Sequence, residues 1–417
     1  MTADAREPAS RLGARVTALG IAQIVSWGTL FYAIAVLGAA MRAELGVSDA
    51  FLFGAYSAGL FVSGAASPAV GRWIDRGHAR FALSTGSCVA SVALAVLATA
   101  RGPAALGAGF LLSGAAMALT LYDPAFATLH VMSGNLYRRA VTALTLFGGF
   151  ASTVFWPLSL ALQQAYDWRV ALGVFALLHL VVCLPVHLAA IPRGTPRAVE
   201  AAPPASAVAA SAERTTFTWL AAALAAAAFI AAAVSAHAIG ILTATGLTAA
   251  QAVFAGALIG PMQVAGRVVE FVAGRNVRAR TVGTIAFASM ALSLLLLALA
   301  HDARLAAFAL VYGASNGVMT ITRGTVPAEL FGRRDFGALL GRLARPQLVA
   351  RAVAPVALAL VFPFDPARTL TPWLMVVIGV LAFVAYRQAL RRHPSRSASS
   401  GKGDAPRDAA RGVRGQR

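Results

Sequence analysis

Residues 192–216 read PRGTPRAVEAAPPASAVAASAERTT, a polar stretch rich in Pro and Ala that divides an otherwise apolar chain in two. Before it lie six apolar runs, at 15–40, 50–71, 81–100, 104–131, 140–165 and 168–191. After it lie six more, at 217–241, 250–274, 281–300, 305–330, 337–363 and 369–390. A bilayer core of about 30 Å takes roughly 20 apolar helical residues to cross, and every run reaches that length. The pattern predicts an all-α integral membrane protein of twelve transmembrane helices in two pseudo-symmetric six-helix bundles. The expected divisions are a polar N-terminus (1–14), a first bundle (15–191), the linker (192–216), a second bundle (217–391) and a disordered basic tail (392–417).

Composition points the same way. A chain with 59% hydrophobic and 12% charged residues is not an ordinary soluble domain. Open backbone groups in lipid cost several kcal/mol each, so helices are the expected spanning form, and the strand-length alternation of a barrel is absent. Pro68, Pro124, Pro157, Pro261 and Pro355 fall inside the runs and read as local kinks. Cys88 and Cys183 both lie within runs, which argues against a disulfide framework. The N-terminus carries no cleavage signature, so the first run is expected to act as its own insertion signal.

The formal charge of +19 is distributed by connection. Arg6, Arg11 and Arg15, then Arg72, Arg76 and Arg80, Arg138 and Arg139, Arg193, Arg197 and Arg214, Arg275, Arg278 and Arg280, Arg333 and Arg334, and the tail share one side. The other side holds Arg42, Arg101, Arg169, Arg304 and Arg368, at most one per connection. The positive-inside rule then places both termini in the cytoplasm, with the chain in a cell membrane, read as a bacterial inner membrane. The basic tail adds attraction to anionic lipid of about 1 kcal/mol per residue near the surface. No basic cluster interleaved with aromatics is present, so nucleic acid is not an expected partner.

Between the second and third runs stands Gly71-Arg72-Trp73-Ile74-Asp75-Arg76-Gly77-His78-Ala79-Arg80. Glycine permits close packing where a helix ends, and an acid among arginines can cap a neighbouring helix or pair with a neighbouring arginine. Superposing Pro157 on Pro355 also brings Arg138-Arg139 near Arg333-Arg334, a weak internal repeat. Two six-helix repeats with a site at their interface are the plan of a rocking secondary transporter. Together these features resemble the major facilitator superfamily, whose signature loop between helices 2 and 3 has the form G-x-x-x-D-R-x-G-R-R. In this chain Gly77 comes one place early and Ala79 replaces one basic residue. The resemblance implies a cytoplasmic latch formed by Gly71, Asp75 and Arg76, with Arg80 beside them. The corresponding place in the second half, Gly274-Arg275-Asn276-Val277-Arg278, lacks the acid.

Charges at bilayer depth cost about 2.5–3.5 kcal/mol each on insertion scales and usually face a bundle interior or a wet cavity. Here they are Asp123, Arg267, Glu270, Arg323, Arg351 and, close to a helix end, Glu329. Arg351 is expected near the middle of its helix, whereas Arg267 and Arg323 lie about 10 Å from the cytoplasmic ends of theirs. Other readings stand beside a ligand role. Arg267 and Glu270 sit three apart and can neutralise one another. Asp123 and Arg323 can form an ion pair between bundles, and Arg351 can pair with a buried acid.

The run Gly260-Pro261-Met262-Gln263-Val264-Ala265-Gly266-Arg267, with a second cation at Arg351, is similar to the monocarboxylate and oxalate/formate branch of that superfamily. The resemblance implies that these cations bind a carboxylate, for which the planar guanidinium fork is suited. It further implies a cavity to which Gln23, Trp27, Tyr32, Tyr122, His130, His237, Ser315 and Asn316 are available, with Trp156 at its edge or in a helix interface. Proton coupling would fall to Asp123 first, with Glu270, His130 and His237 as further coupling or gating groups.

The functional expectation is therefore a monomeric secondary transporter for a small organic anion, working by alternating access, by proton coupling or exchange, and without a cofactor. A proton-coupled exporter of toxic compounds is the alternative, although the stretch from Gly107 to Gly114 lacks the arginine typical of such exporters. A transporter-derived membrane sensor is another. No H-E-x-x-H, G-x-S-x-G or phosphate-cradling loop occurs, so an enzyme is not expected.

Overall fold

A computed structural model describes residues 9–133, 136–193, 211–273, 277–299, 303–331, 336–365 and 368–392. Most of the linker, the basic connections at Arg275 and at Arg333-Arg334, and the tail beyond Arg392 lie outside the described residues. The first half contains α1 (Ala9–Ser26), α2 (Ile34–Leu45), α3 (Asp49–Trp73), α4 (Ala79–Ala98), α5 (Pro103–Thr120), α6 (Tyr122–Ser133), α7 (Tyr137–Gly149), α8 (Ala151–Ala165), α9 (Trp168–Leu178) and α10 (Leu184–Ala190). The second contains α11 (Ser211–Ala244), α12 (Ala249–Ala257), α13 (Ile259–Ala273), α14 (Ala279–Ala298), α15 (Ala303–Phe331), α16 (Phe336–Val361) and α17 (Leu370–Arg392). α11 begins inside the stretch read as linker, because Ser211 to Thr216 continue the helix without a proline or glycine to stop it.

Eleven continuous helical stretches among the described residues are long and apolar enough to cross a membrane. The second, Asp49–Ala98, has 50 residues, which as a straight helix would measure about 75 Å. It is broken at Gly77, whose φ of 91° and ψ of 9° suit a residue without a Cβ. The two legs, α3 and α4, both pack along α5.

Close packing rests on small residues, as expected where lipid offers no hydrophobic drive for helix pairing. Gly59 of α3 and Gly114 of α5 meet backbone to backbone, and a Cβ on either would strike the backbone of the other helix. Gly313 and Gly317 of α15 do the same against Ile259 and Gln263 of α13.

Several legs are interrupted, and the interruptions follow from prolines that remove a helical N–H. Pro124 cannot serve the carbonyl of Thr120, where α5 ends, and Gln23 Nε2 donates to that oxygen at 2.6 Å. Pro261 cannot serve Ala257, where α12 ends, and Thr153 Oγ1 of the first half donates to it at 2.9 Å. Pro355 sits within continuous α16, where the next N–H, of Val356, donates to Ser57 Oγ of the first half at 3.3 Å. Pro68 and Pro157 likewise sit within continuous α3 and α8, and the fifth leg breaks at Phe150 after a Gly-Gly pair.

The turn before α17 depends on Asp365, which is buried. Its carboxylate accepts from the Thr369 N–H at 2.8 Å, the Thr371 N–H at 2.7 Å and the Thr371 hydroxyl at 2.8 Å. Burial alone would raise its pKa, but the backbone donors of Leu370, Thr371 and Thr369 and the Thr371 hydroxyl prevail and hold it below the ordinary value. With a depressed folded-state pKa, this stabilisation is present at neutral pH and is lost as pH falls through the folded value. Asp365→Ala is expected to lower stability by about 1–3 kcal/mol, read as a lower Tm in detergent at pH 7, with the gap to wild type closing in acid.

Candidate functional site

The first leg widens into a π-helical turn at Trp27–Tyr32, between α1 and α2. Such a turn releases carbonyls from the regular ladder, and π-turns recur at functional sites. The carbonyl of Phe31 accepts from Tyr56 Oη at 3.0 Å, and that of Tyr32 accepts from Trp156 Nε1 at 2.9 Å. With its backbone so held, the turn presents a set of rings. Trp27 lies 4.9 Å from Tyr122, Tyr122 stacks on Phe126 at 5.1 Å, and Tyr32 meets Trp156 edge-on at 5.8 Å. Tyr122 opens α6 directly after the break that Pro124 imposes. The Trp27 indole N–H is buried and has no hydrogen-bond partner among the described residues.

The second half faces these rings with cations. Gln263, Arg267 and Glu270 follow one another at four- and three-residue steps on one face of α13, as do Asn316, Thr320 and Arg323 on α15. Arg267 is 6% exposed and crosses between the halves to donate to the Thr145 carbonyl, which also accepts from Tyr122 Oη at 3.4 Å. Its Nη2 lies 3.5 Å from Thr320 Oγ1, and its Nε has no partner among the described residues. Arg351, half-buried on α16, lies within electrostatic range of Tyr32, Tyr56 and Arg323. Among the described residues no carboxylate stands within 4.0 Å of Arg267, Arg323 or Arg351.

Asp123 is exposed and within electrostatic range of Arg323 without a direct ion pair. Arg267 turns to Thr145 rather than to Glu270, which is half-buried. Asn316 is half-buried beside the close α13–α15 contact.

Other residues named from the sequence are held elsewhere. Gln23 is bound to Thr120, and Ser315 Oγ donates to the Ala286 carbonyl at 2.8 Å. His237 Nε2 lies 2.8 Å from the Pro355 carbonyl, and its ring packs 4.0 Å from Phe53 of the first half. The oxygen can only accept, so the nitrogen donates and the Nε2–H form is implied. The side chain of His130 lies outside the described residues.

The two ends differ. In the Gly71–Arg80 stretch, Asp75 and Arg76 are exposed, and among the described residues neither side chain forms an ion pair. The second half has the corresponding arrangement in a form that its loop sequence hid. Glu329 of α15 accepts from the Arg280 N–H at the start of α14, at 3.0 Å, and its carboxylate lies 3.4 Å from Arg280 Nε. At the opposite end Asp49 lies 3.3 Å from Arg42 and 3.7 Å from Arg368 of the second half. In the sequence Arg42 and Arg368 read only as topological charges; the Arg368–Asp49 pair joins residues more than 300 positions apart. The Asp49–Arg368 pair joins the halves at this end, as do Phe53 with His237 and Gly54 with Val356.

No protein-family model matches the chain, and no curated protein matches it in sequence. Solved structures do match. One is a bacterial homologue of the human lysosomal transporter Spinster in an inward-facing and occupied conformation, at 14% identity and a TM-score of 0.72, covering 94% of this chain and 100% of that one. Another is a point mutant of the nucleoside transporter NupG, at 12% identity and a TM-score of 0.72, covering 92% of this chain and 100% of that one. Both are transporters, and the chain shares their fold, an all-helical one with eleven stretches among the described residues long and apolar enough to cross a membrane.

Proposed function

We propose that this chain is a secondary transporter that carries a small organic anion, monocarboxylate-like, by alternating access through a site between its two halves. One observation carries the reading: Arg267, bound at the Thr145 carbonyl beside Tyr122, and Arg351, within electrostatic range of Tyr32, have no carboxylate within 4.0 Å among the described residues. A desolvated guanidinium without a counter-ion is costly, and a carboxylate ligand would supply the missing charge and hydrogen bonds. The unpaired Trp27 Nε1 and Arg267 Nε are further donors for it.

In this reading α3 and α4 each span the membrane, giving twelve helices with both termini in the cytoplasm of a bacterial cell. The end joined by Asp49 and Arg368 is then the outer gate, closed here, and Gly71, Asp75, Arg76 and Arg80 form the inner latch. The protein works as a monomer.

Uptake by purified protein in liposomes is the test. Small carboxylates should accumulate down an imposed gradient, and lipophilic cations should not. The reverse preference would overturn the anion reading.

Asp123 is the proposed proton-coupling group, because it is exposed between the halves within range of Arg323. Asp123→Asn is expected to abolish uptake driven by a pH gradient while sparing exchange of labelled for unlabelled substrate. Equal loss of both modes would assign Asp123 a structural or binding role instead.

A further inference from the structure

At the α3–α4 turn of the first half a cavity of about 450 Å³ is lined by Arg76, Gly77, His78, Arg80, Phe81, Ser84, Leu188 and Arg193. Three guanidinium groups converge on it from the α3–α4 turn and from the segment after α10, and no acid lines it. Among the described residues Arg76, Arg80 and Arg193 have no ion pair. A concentration of positive charge without a counter-ion calls for an anion, and guanidinium forks match phosphate oxygens two at a time.

Two further features give the anion its identity. Ser84 is 8% exposed, and its hydroxyl has no hydrogen-bond partner, not even the carbonyl one helical turn earlier that such residues commonly use. It is a buried, unpaired polar group behind the wall of the cavity. The other walls are apolar: Phe81 and Leu188 are 60% and 41% exposed, on the bundle surface where lipid lies. A soluble anion has no use for that wall, whereas a phospholipid has an acyl chain to lay against it.

We infer that this cavity is a binding site for one anionic phospholipid, with its phosphate held by Arg76, Arg80 and Arg193 and an acyl chain along Phe81 and Leu188. The site shares Arg76, Arg80 and Gly77 with the latch stretch, so its occupant bridges the α3–α4 turn to the end of α10. It does not depend on the nature of the transported substrate.

Native mass spectrometry of the full chain, stripped of lipid in detergent and titrated with phosphatidylglycerol, phosphatidylcholine or inorganic phosphate, tests this. Wild type should retain a single phosphatidylglycerol at least tenfold more tightly than phosphatidylcholine. Arg193→Gln should weaken phosphatidylglycerol roughly fivefold, the worth of one arginine near an anionic surface, and Arg193→Lys should largely restore it. Phe81→Ser should weaken the lipid as well, and millimolar inorganic phosphate should not displace it. Equal binding of the two lipids, or unchanged binding in both Arg193→Gln and Arg80→Gln, would overturn the proposal. Displacement by inorganic phosphate would overturn it in favour of a soluble-anion site. Should Arg193→Gln fail to fold, Arg80→Gln carries the same reading.

Discussion

Arg351→Ala and Arg267→Ala are each expected to reduce carboxylate uptake in liposomes by roughly 30-fold to several thousandfold, corresponding to about 2–5 kcal/mol for a lost charged partner in a desolvated site. The two should differ in kind. Arg351 makes no hydrogen bond or ion pair to hold it among the described residues, so its loss should fall on substrate affinity while the fold stays intact. Arg267 also ties α13 to the Thr145 carbonyl across the halves, so its removal should cost affinity and thermal stability together. Arginine-to-lysine variants separate charge from geometry. Lysine keeps the charge and loses the fork, and an intermediate rate in Arg351→Lys would show that paired hydrogen bonds to the carboxylate matter. Uptake unchanged in both alanine variants would remove the anion site from this place.

Gly317→Leu is expected to be as damaging by a different route. The backbone of Gln263 occupies the space where a Cβ at 317 would stand, so even alanine forces α15 away from α13. Overpacking of this kind costs about 1–3 kcal/mol, and the small-residue contact it destroys is what holds two membrane helices together. Gln263 is one turn from Arg267 on the same face, so the displacement also carries the cation out of register with Thr145 and Tyr122. Thermal unfolding in detergent should show a lowered Tm for Gly317→Leu and a smaller loss for Gly317→Ala. A wild-type Tm in both would mean that the helices are not in contact there. Gly324, further along α15 and with no atom near its absent Cβ, is the internal comparison and should accept alanine readily.

The membrane-crossing helices were legible in the sequence because each follows from length and polarity alone. A run of apolar residues interrupted by Asp123 or Arg351 states its own anomaly. The way Gln23 and Thr153 are used was not legible. Gln23 read as a cavity residue and Thr153 carried no signal, and both serve carbonyls orphaned by Pro124 and Pro261 on other helices. The prolines announced the vacancy, but the donor is 97 or 104 residues away. The π-helical turn at Trp27–Tyr32 had no proline to announce it. The Asp49–Arg368 ion pair, and the Glu329 cap on α14, likewise join residues that only folding brings together.

Distances between spin-label pairs at the two ends, measured by pulsed electron resonance before and after a transported carboxylate is added, test the rocking of the halves most directly. One pair is at Arg139 and Arg278, exposed at the starts of α7 and α14, and the other is at Arg101 and Ala244, exposed at the opposite end. The account predicts opposite changes, the Arg139–Arg278 distance shortening while the Arg101–Ala244 distance lengthens. Substrate flux with both distances fixed, or with both moving in the same direction, would contradict alternating access about the Arg267–Arg351 site.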